Sequence, residues 1–370
     1  MQSIINQMRR YDWLLMGAVL LLIVFGLLTL FSLSSVSAFP YAVRQLTWVG
    51  IGIVLCIAVS SIDFRLFKTQ SVIVFVLYCI TVFLLSMVLF AHLRIRGIEG
   101  WLTIGGFFVQ PVELTKIALI ILLAKFFSKR HVEIYRTQHI FVSGLYVALP
   151  AGLVLLQPDL GSAIILVTIW LAMVLLSGMK LRHFFLLVVL GAMLFGIGWE
   201  WGLAPYQKSR ITSFLNPYND PKGAGYQMIQ SMIAVGSGRM WGKGLGYGSQ
   251  SHLNFLPEAE TDFIFAAFAE EWGFVGIASM LVLFAIVLWR ILRIGQHASD
   301  NFSRLYALGF AALIFSQVFI HVGMNMGLMP ITGITLPFVS YGGSSLVTLL
   351  IGVGVLQNIK MNSRKRIEEG

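Results

Sequence analysis

The chain has 370 residues, of which 58% are hydrophobic and only 11% are charged. A soluble fold of this length cannot bury that much apolar surface, so the composition excludes a set of soluble domains and indicates that lipid solvates the chain. The net charge is +10, but in membrane proteins a basic balance usually reflects cytoplasmic loops, and no nucleic-acid-binding pattern is present. Cys56 and Cys79 both lie in apolar runs, which argues against a disulfide framework or a cysteine metal site.

Apolar stretches approach the roughly 20 residues that a membrane-spanning helix needs at about ten places along the chain. The first stretch is longer than the apolar region of a signal peptide, so we interpret it as a retained span. The sequence therefore predicts an all-α polytopic membrane protein, with residues 1–370 forming one integral-membrane domain. The predicted spans are Trp13–Phe31, Ala42–Ile62, Ser71–Ala91, Val112–Phe127, Ile140–Leu156, Gly161–Ser177, Phe184–Trp201, Phe263–Arg290, Leu305–Gly323 and Ser344–Ile359.

The basic residues indicate how these spans are oriented. If the N-terminus is cytoplasmic, seventeen of the 26 Lys and Arg residues fall on cytoplasmic segments and eight on outer segments, with Lys116 inside a span. This distribution follows the positive-inside rule. It predicts a multi-pass protein of the cytoplasmic (inner) membrane with both termini in the cytoplasm.

One outer segment, residues 202–262 between spans seven and eight, is much longer than the other loops, and loops of this length are usually functional. Within it, Gly225–Val235 has the pattern of a short amphipathic helix. This helix either lies on the outer leaflet with its apolar face among acyl chains or packs on the spans as ordinary core, and the pattern favours neither. Its apolar face comprises Tyr226, Ile229, Met232 and Ile233.

Charged residues inside or beside the spans are costly and call for an explanation. Glu113 and Lys116 are neighbours on one helical face, so they either neutralise each other or let Glu113 hold Lys116 toward a phosphate. The two interpretations are compatible. Asp159 precedes the sixth span, where a carboxylate caps a helix N-terminus, and capping is its default interpretation.

Asp262 stands at the outer boundary of the eighth span. A carboxylate placed between water and apolar surroundings can have a raised pKa and accept a proton from a sugar hydroxyl. The competing interpretation is an ordinary acid in the first turn of a helix, and the local pattern alone favours it. Glu270 and Glu271 lie about 12 Å deeper, where we expect buried scaffolding rather than substrate contacts.

Cations accompany these acids on the outer side. Lys208 and Arg210 begin the long segment, while Arg239 and Lys243 lie in the glycine-rich stretch Gly236–Gly246. Glycines permit close backbone approach, and exposed N–H groups beside cations suit a phosphate, although a flexible loop is the alternative. Because nucleotides are scarce outside the cell, we expect any phosphate bound there to be lipid-linked.

At these motifs the chain resembles the shape, elongation, division and sporulation (SEDS) family of bacterial cell-wall polymerases. The resemblance covers nearly the whole chain, and its short tails are more similar to the RodA-type branch than to the division branch. The motifs that carry it include QPVELTK at 110–116, QPDLGSA at 157–163, the FLPEAETDF stretch around Asp262, and GMNMGLMPITGITLPFVSYGGSSL at 323–346.

The resemblance implies a peptidoglycan glycosyltransferase that polymerises lipid II into glycan strands at the outer face of the membrane, for cell-wall elongation and rod shape. Transfer would invert the sugar and release undecaprenyl diphosphate. The family's catalytic aspartate corresponds to Asp262, its intramembrane acid and lysine to Glu113 and Lys116, and two basic positions near the donor diphosphate to Arg44 and Arg210. The predicted substrate-binding residues are Glu113, Lys116, Arg44, Arg210, Lys243, Arg239 and Asp159.

The expected partners are lipid II, the nascent glycan strand, membrane lipids and, because the family generally works with one, a class B penicillin-binding protein. No cofactor and no compact metal-ligand set is evident, although a divalent cation such as Mg²⁺ or Mn²⁺ could assist. Two other functions remain open. A lipid II flippase would use the same groove and cations without an outer carboxylate, and a scaffold would position a cross-linking synthase.

Overall fold

A computed structural model describes residues 10–35, 39–62, 64–91, 100–104, 107–129, 137–202, 204–220 and 223–368. Each of the ten predicted spans corresponds to a helix, which confirms the polytopic all-α fold. The elements in chain order are α1 (Trp13–Ser34), α2 (Tyr41–Ser61), α3 (Arg65–Thr69), α4 (Ser71–Ala91), β1 (Leu102–Ile104), β2 (Phe107–Val109), α5 (Pro111–Ser128), α6 (Thr137–Leu156), α7 (Leu160–Leu176), α8 (Leu181–Ile197), α9 (Pro205–Leu215), α10 (Ala224–Ser237), α11 (Ser249–His252), α12 (Ile264–Gln296), α13 (Asn301–Asn325) and α14 (Gly343–Glu368).

Eight of the described helices are long and apolar enough to cross a membrane by length and composition alone. The other two spans depart from that pattern for different reasons. Helix α7 has only 17 residues. Helix α5 carries three charged residues, but fifteen of its eighteen residues are buried, so protein rather than lipid surrounds the charges.

Small residues allow α2 and α14 to pack closely. A Cβ added at Gly354 would lie 2.6 Å from the carbonyl oxygen of Cys56, and one added at Gly52 would lie 2.4 Å from Leu350 Cδ1. Inside a membrane, helices associate through such close backbone approach because lipid supplies no hydrophobic driving force. Helix α14 is accordingly a central helix of the bundle, and 83% of its most apolar 18-residue stretch is buried.

Polar contacts join several helices at the end of the bundle that carries both described chain ends. Asp12 caps α1 and accepts a hydrogen bond from Arg290 Nε at 3.0 Å, while its own N–H donates to Gln357 Oε1 at 2.8 Å. At the same end, Lys68 pairs with Asp300, the cap of α13. Burial alone would raise the pKa of Asp300, but the hydrogen bonds from Lys68 and from the Ser303 N–H outweigh it and hold the pKa below its ordinary value.

Helix α8 lies at the edge of the bundle. Its described side chains are exposed or half-buried, and Phe184 and Leu187 are its residues that pack on the core. Lipid must therefore cover most of its surface. In the connection between α4 and α5, β1 and β2 form an antiparallel pair that joins Leu102 to Val109, which our sequence interpretation did not anticipate.

Helix α12 is interrupted at Gly273, where φ is 66° and ψ is −165°. A Cβ added there would lie 2.3 Å from the backbone nitrogen of Gly242, so both the left-handed conformation and the close approach require glycine. The interruption separates an outer piece of the helix, Ile264–Trp272, from the remainder. Since it lies in a span, the backbone groups that it releases need partners within the protein.

The glycine-rich stretch supplies those partners. Arg239 O and Met240 O accept from the N–H groups of Phe274 (2.8 Å) and Val275 (3.1 Å), and the Lys243 N–H donates to Glu270 O at 3.0 Å. The N–H groups of Gly242, Gly244 and Gly246 are also used within the protein, by Gly238 O, Glu271 O and the Glu271 carboxylate. These N–H groups therefore stabilise the broken helix, and phosphate binding by this stretch stays a prediction.

The stretch and the helix break should depend on each other for stability. Gly242 has a φ of +79°, and a Cβ there would lie 2.0 Å from Glu271 O, so we expect Gly242→Ala to destabilise the protein by about 2 kcal/mol or more. Thermal unfolding in detergent measures this loss as a lower Tm. Gly236→Ala is the matched control, because nothing lies within 4 Å of its added Cβ. Equal Tm values for the two variants would contradict the role assigned to the stretch.

Candidate functional site

Two buried glutamates attach the outer segment to α12. Glu270 accepts hydrogen bonds from Lys243 Nζ at 2.7 Å and from the N–H groups of Gln250 and Ser251, so it holds the start of α11. Glu271 accepts from Ser32 Oγ on α1 and lies 3.1 Å from His252 Nε2. These contacts confirm that both acids are buried, partnered scaffolding.

Asp262 immediately precedes α12 and is half-buried. Its backbone is held from another helix, since Asn325 Nδ2 on α13 donates to Asp262 O at 2.9 Å and Asn325 Oδ1 accepts from the Ala266 N–H at 3.2 Å. The segment between α13 and α14 holds the two preceding residues: Ser340 Oγ donates to Thr261 O, and the Tyr341 N–H donates to Glu260 O. The carboxylate is thus carried on a backbone that is fixed from two directions.

The segment between α13 and α14 also connects Asp262 to the start of α7. A Cβ added at Gly333 would lie 3.7 Å from Asp262 Oδ2, and one added at Gly161 would lie 2.4 Å from Thr332 O. Residues 332 and 333 therefore lie between the Asp262 carboxylate and the N-terminus of α7. Asp159 caps that N-terminus by accepting from the Ser162 N–H at 2.9 Å, as predicted.

Glu113 and Lys116 form the expected pair, with Lys116 Nζ 2.7 Å from Glu113 Oε1 and side-chain exposures of only 6% and 3%. Both interact electrostatically with Asp159, which also accepts from Gln110 Nε2 at 3.4 Å. The structure therefore brings two of the sequence motifs together in one buried group of charges. This group lies beside residues 260–262, which we call the Asp262 segment. In this arrangement the Lys116 ammonium is paired with Glu113, and its contact with a phosphate remains a prediction.

The predicted cations occupy different places. Arg44 is exposed on the first turn of α2, 4.2 Å from the centre of the Phe39 ring, and that ring contacts Tyr341, which binds the Asp262 segment. Arg210 is half-buried on α9, a helix whose Phe214 packs against the cluster that contains Phe263. Both arginines thus lie on elements that adjoin the Asp262 segment.

Arg239 and Lys243 belong instead to the scaffold at the break in α12. The backbone of Arg239 is used by Phe274, and the ammonium of Lys243 is paired with Glu270. Gly273 is eleven residues beyond Asp262, about 16 Å along a helix. The assignment of Arg239 and Lys243 to substrate binding is therefore the part of the predicted site that the geometry supports least.

The predicted amphipathic helix is present as α10. It packs on the spans through Met228, Ser231 and Ala234, and Ser231 Oγ donates to Asn325 O at 2.9 Å. Met232 and Ile233 from the predicted apolar face remain exposed. The helix therefore packs on the bundle through a face that the pattern did not single out, and it leaves part of its apolar face to the surroundings.

Asn325 is the positioning residue that the sequence interpretation missed. It is fully buried, and its side chain contacts the backbone of Asp262 and Ala266 and the hydroxyl of Ser231. Its position in the GMNMG motif gave no local signal of this role, because all three contacts are distant in sequence. Over the described ranges, no group of three or more His, Cys, Asp or Glu side chains is arranged to hold a metal ion.

Comparisons with known proteins cover nearly the whole chain. Residues 12–365 match the cell cycle protein family model of FtsW, RodA and SpoVE. Stage V sporulation protein E of Bacillus subtilis is 41% identical over 95% of this chain and 98% of its own. Peptidoglycan glycosyltransferase MrdB of Escherichia coli is 38% identical over 85% and 84%.

Solved structures show the same architecture. The rod shape determining protein RodA of Thermus thermophilus superposes with a TM-score of 0.70 at 30% identity, covering 95% of this chain and 96% of that one. A chain from a peptidoglycan synthase complex that coordinates polymerisation and crosslinking gives a TM-score of 0.79 at 30% identity, covering 95% and 98%.

The buried pair on α5 predicts strong coupling between its members. Removing either charge leaves the other buried without a partner, so Glu113→Gln and Lys116→Met should each cost about 3–5 kcal/mol of stability. The double variant should recover most of this loss, which thermal unfolding in detergent measures. Lys129→Met, at the exposed end of the same segment, controls for loss of a lysine. A double variant as unstable as the two single losses combined would show that the pair is not coupled.

Proposed function

The chain belongs to the FtsW, RodA and SpoVE family of cell cycle proteins, and on this premise we propose that it is a peptidoglycan glycosyltransferase that polymerises lipid II. Relatives that are 38% and 36% identical bear the name peptidoglycan glycosyltransferase or probable peptidoglycan glycosyltransferase. The observation that carries the proposal is the half-buried Asp262 carboxylate, held on a fixed backbone beside the buried charges of α5 and α7.

In the proposed mechanism Asp262 is the general base. Its carboxylate takes the proton from the 4-hydroxyl of an acceptor N-acetylglucosamine as that oxygen attacks the anomeric carbon of the donor N-acetylmuramic acid. The bond from that carbon to the diphosphate oxygen breaks, and undecaprenyl diphosphate leaves with the electron pair. A single displacement inverts the anomeric carbon. General base catalysis of this kind contributes typically about 10²–10⁴-fold to the rate.

The negative charge that develops on the diphosphate needs stabilisation by fixed positive groups. We assign this role first to Arg44 and Arg210, because both lie on elements that adjoin the Asp262 segment. Lys116 adds positive charge in the neighbouring buried group, where Glu113 holds its position. Asp159 supports that group as the cap of α7.

We further propose that Asp262 faces the outside of the cytoplasmic membrane and that both termini are cytoplasmic. The excess of basic residues on the end of the bundle that contains Arg290 and Lys360 supports this orientation. Labelling a cysteine placed at Trp241, a side chain that is 80% exposed on the outer segment, tests it in intact cells. Protection of that cysteine from an impermeant reagent would contradict the orientation.

A transpeptidase of the class B penicillin-binding type is the proposed partner. One structural neighbour comes from a complex that combines polymerisation with crosslinking. The outer segment exposes large aromatic side chains, which suit a protein interface. They are Tyr218 at 82%, Trp241 at 80% and Tyr247 at 77% exposure.

The finer role that we propose is wall synthesis during elongation, supported by the similarity to MrdB and to a rod shape determining protein. The 41% identity to a sporulation protein makes sporulation the alternative. Depletion in the native host separates them: rounding of growing cells supports elongation, whereas a defect confined to spores contradicts it.

Purified protein with lipid II in detergent tests the activity. We expect the wild type to form polymer and Asp262→Asn to lose about 10²–10⁴-fold in rate, because an amide cannot take the hydroxyl proton. Glu260→Gln, which is also a change from acid to amide and lies two residues earlier, should retain activity. Glu260 contributes to the site through its backbone carbonyl, which accepts from the Tyr341 N–H. Polymer length and amount are read on gels. Normal polymerisation by Asp262→Asn would show that the assigned base is wrong.

Two further arms of the same assay address the alternatives. A wild-type protein that makes no polymer but moves lipid II across proteoliposomes would indicate a flippase. Chelation that abolishes polymerisation, with recovery on adding Mg²⁺ or Mn²⁺, would support the proposed assistance by a divalent cation.

A further inference from the structure

A cavity of about 470 Å³ lies between α4, α5 and α6 at the end of α5 that is remote from Glu113 and Lys116. Its volume falls within the range of ordinary ligand pockets. Glu113 and Lys129 are sixteen residues apart on the chain, about 24 Å along a helix, so the cavity is separate from the site around Asp262. The lining residues are Ser71, Val72, Val74, Phe75, Leu122, Lys125, Phe126, Lys129, Val142 and Tyr146.

The polar and the apolar residues that line the cavity lie largely at different depths along the membrane normal. The polar residues are Ser71, at the first position of α4, and Lys125 and Lys129, at the last turn of α5. The other lining residues are apolar or aromatic. Val72 and Phe126 adjoin the polar residues, and the deeper ones are Val74, Phe75, Leu122, Val142 and Tyr146. Phe75 and Val142 are also 49% and 37% exposed, so the deep part opens sideways to lipid. The cavity is thus an amphipathic pocket with a cationic mouth.

Within the described ranges, the two lysines have no acidic partner. Among the residues that the structure describes, no carboxylate lies within ion-pair distance of Lys125 or Lys129, and the nearby Asp300 is taken by Lys68. Lys125 Nζ donates to Lys68 O, and Lys129 Nζ donates to Ser71 Oγ at 2.8 Å. An ammonium has three N–H groups, so each lysine retains two for a ligand.

The mouth also favours an anion for two further reasons. Lys125 and Lys129 are four residues apart on one helical face and close enough to interact, so a negative group between them would relieve their repulsion. Helix α4 begins there, and the N-terminal end of a helix carries partial positive charge. Basic pockets between spans at a cytoplasmic surface are known to bind anionic lipid headgroups.

We propose that this pocket binds one anionic phospholipid of the cytoplasmic leaflet, with its phosphate at Lys125 and Lys129 and an acyl chain against Phe75, Phe126 and Tyr146. The assignment to that leaflet rests on the orientation proposed above. The binding itself is measured without lipid II, so it stands or fails independently of the polymerase activity.

Native mass spectrometry of the full-length protein in detergent, with equal amounts of phosphatidylglycerol and phosphatidylcholine, tests the proposal. The first lipid bound by the wild type should be phosphatidylglycerol. Lys129→Gln should weaken it about fivefold and Lys125→Gln with Lys129→Gln about 30-fold, from roughly 1 kcal/mol for each lysine near a lipid surface. Equal binding of the two lipids would overturn the proposal.

Two more variants separate the pocket from general surface charge. Val142→Phe keeps both lysines but fills the apolar part, and it should weaken phosphatidylglycerol binding by tenfold or more. Lys180→Gln with Arg182→Gln removes two exposed cations outside the pocket and should leave binding unchanged. Each variant is compared only if its Tm in detergent matches that of the wild type. Lys129→Gln changes an exposed side chain, so at least this variant should fold normally. Equal losses from the control pair and the pocket pair would overturn the proposal.

Discussion

The interruption of α12 at Gly273 is the constraint on which the half of the molecule around Asp262 depends. A helix that breaks inside a membrane releases carbonyl and N–H groups that lipid cannot satisfy. Here the glycine-rich stretch enters the break and exchanges main-chain hydrogen bonds with both sides of it. The long outer segment is consequently part of the transmembrane core, since one of its turns completes a span.

The side chains at the break extend this constraint outward. Glu270 collects donors from Lys243 and from the first residues of α11, while Glu271 joins α12 to α1 and α11. A buried carboxylate without such partners would be expensive, and with them it specifies one arrangement of three helices. The short helical piece between Gly273 and Asp262 is thereby held at both ends, by the break on one side and by Asn325 on the other.

Local rules predicted the parts of this structure that depend on neighbours in sequence. Hydropathy located ten helices, spacing of three residues paired Glu113 with Lys116, and the position before an apolar run identified Asp159 as a cap. The Gly105-Gly106 dipeptide between β1 and β2 is a hairpin signal that could also have been read. These features need no knowledge of the tertiary fold.

The features that escaped prediction all require distant partners. Nothing near Gly273 shows that its apolar run is broken, because glycine is common in membrane helices and its partner Gly242 is 31 residues earlier. The same stretch was assigned to a phosphate because glycines and cations suit that ligand equally well. Asn325 contacts Asp262 across 63 residues of sequence, so only the folded bundle reveals that it positions the carboxylate.

The hydrogen bonds to the backbone around Asp262 fix the position of this residue without involving the chemistry of its carboxylate. Three successive carbonyl oxygens, those of Glu260, Thr261 and Asp262, each accept a hydrogen bond from another segment. These three contacts do not depend on the chemical character of the side chains, because every residue type has a carbonyl oxygen. Acidity, hydrogen-bonding capacity and charge at this place can be altered one at a time while the geometry of attack is preserved, which makes this short segment a natural point for dissecting or redesigning the chemistry of the protein.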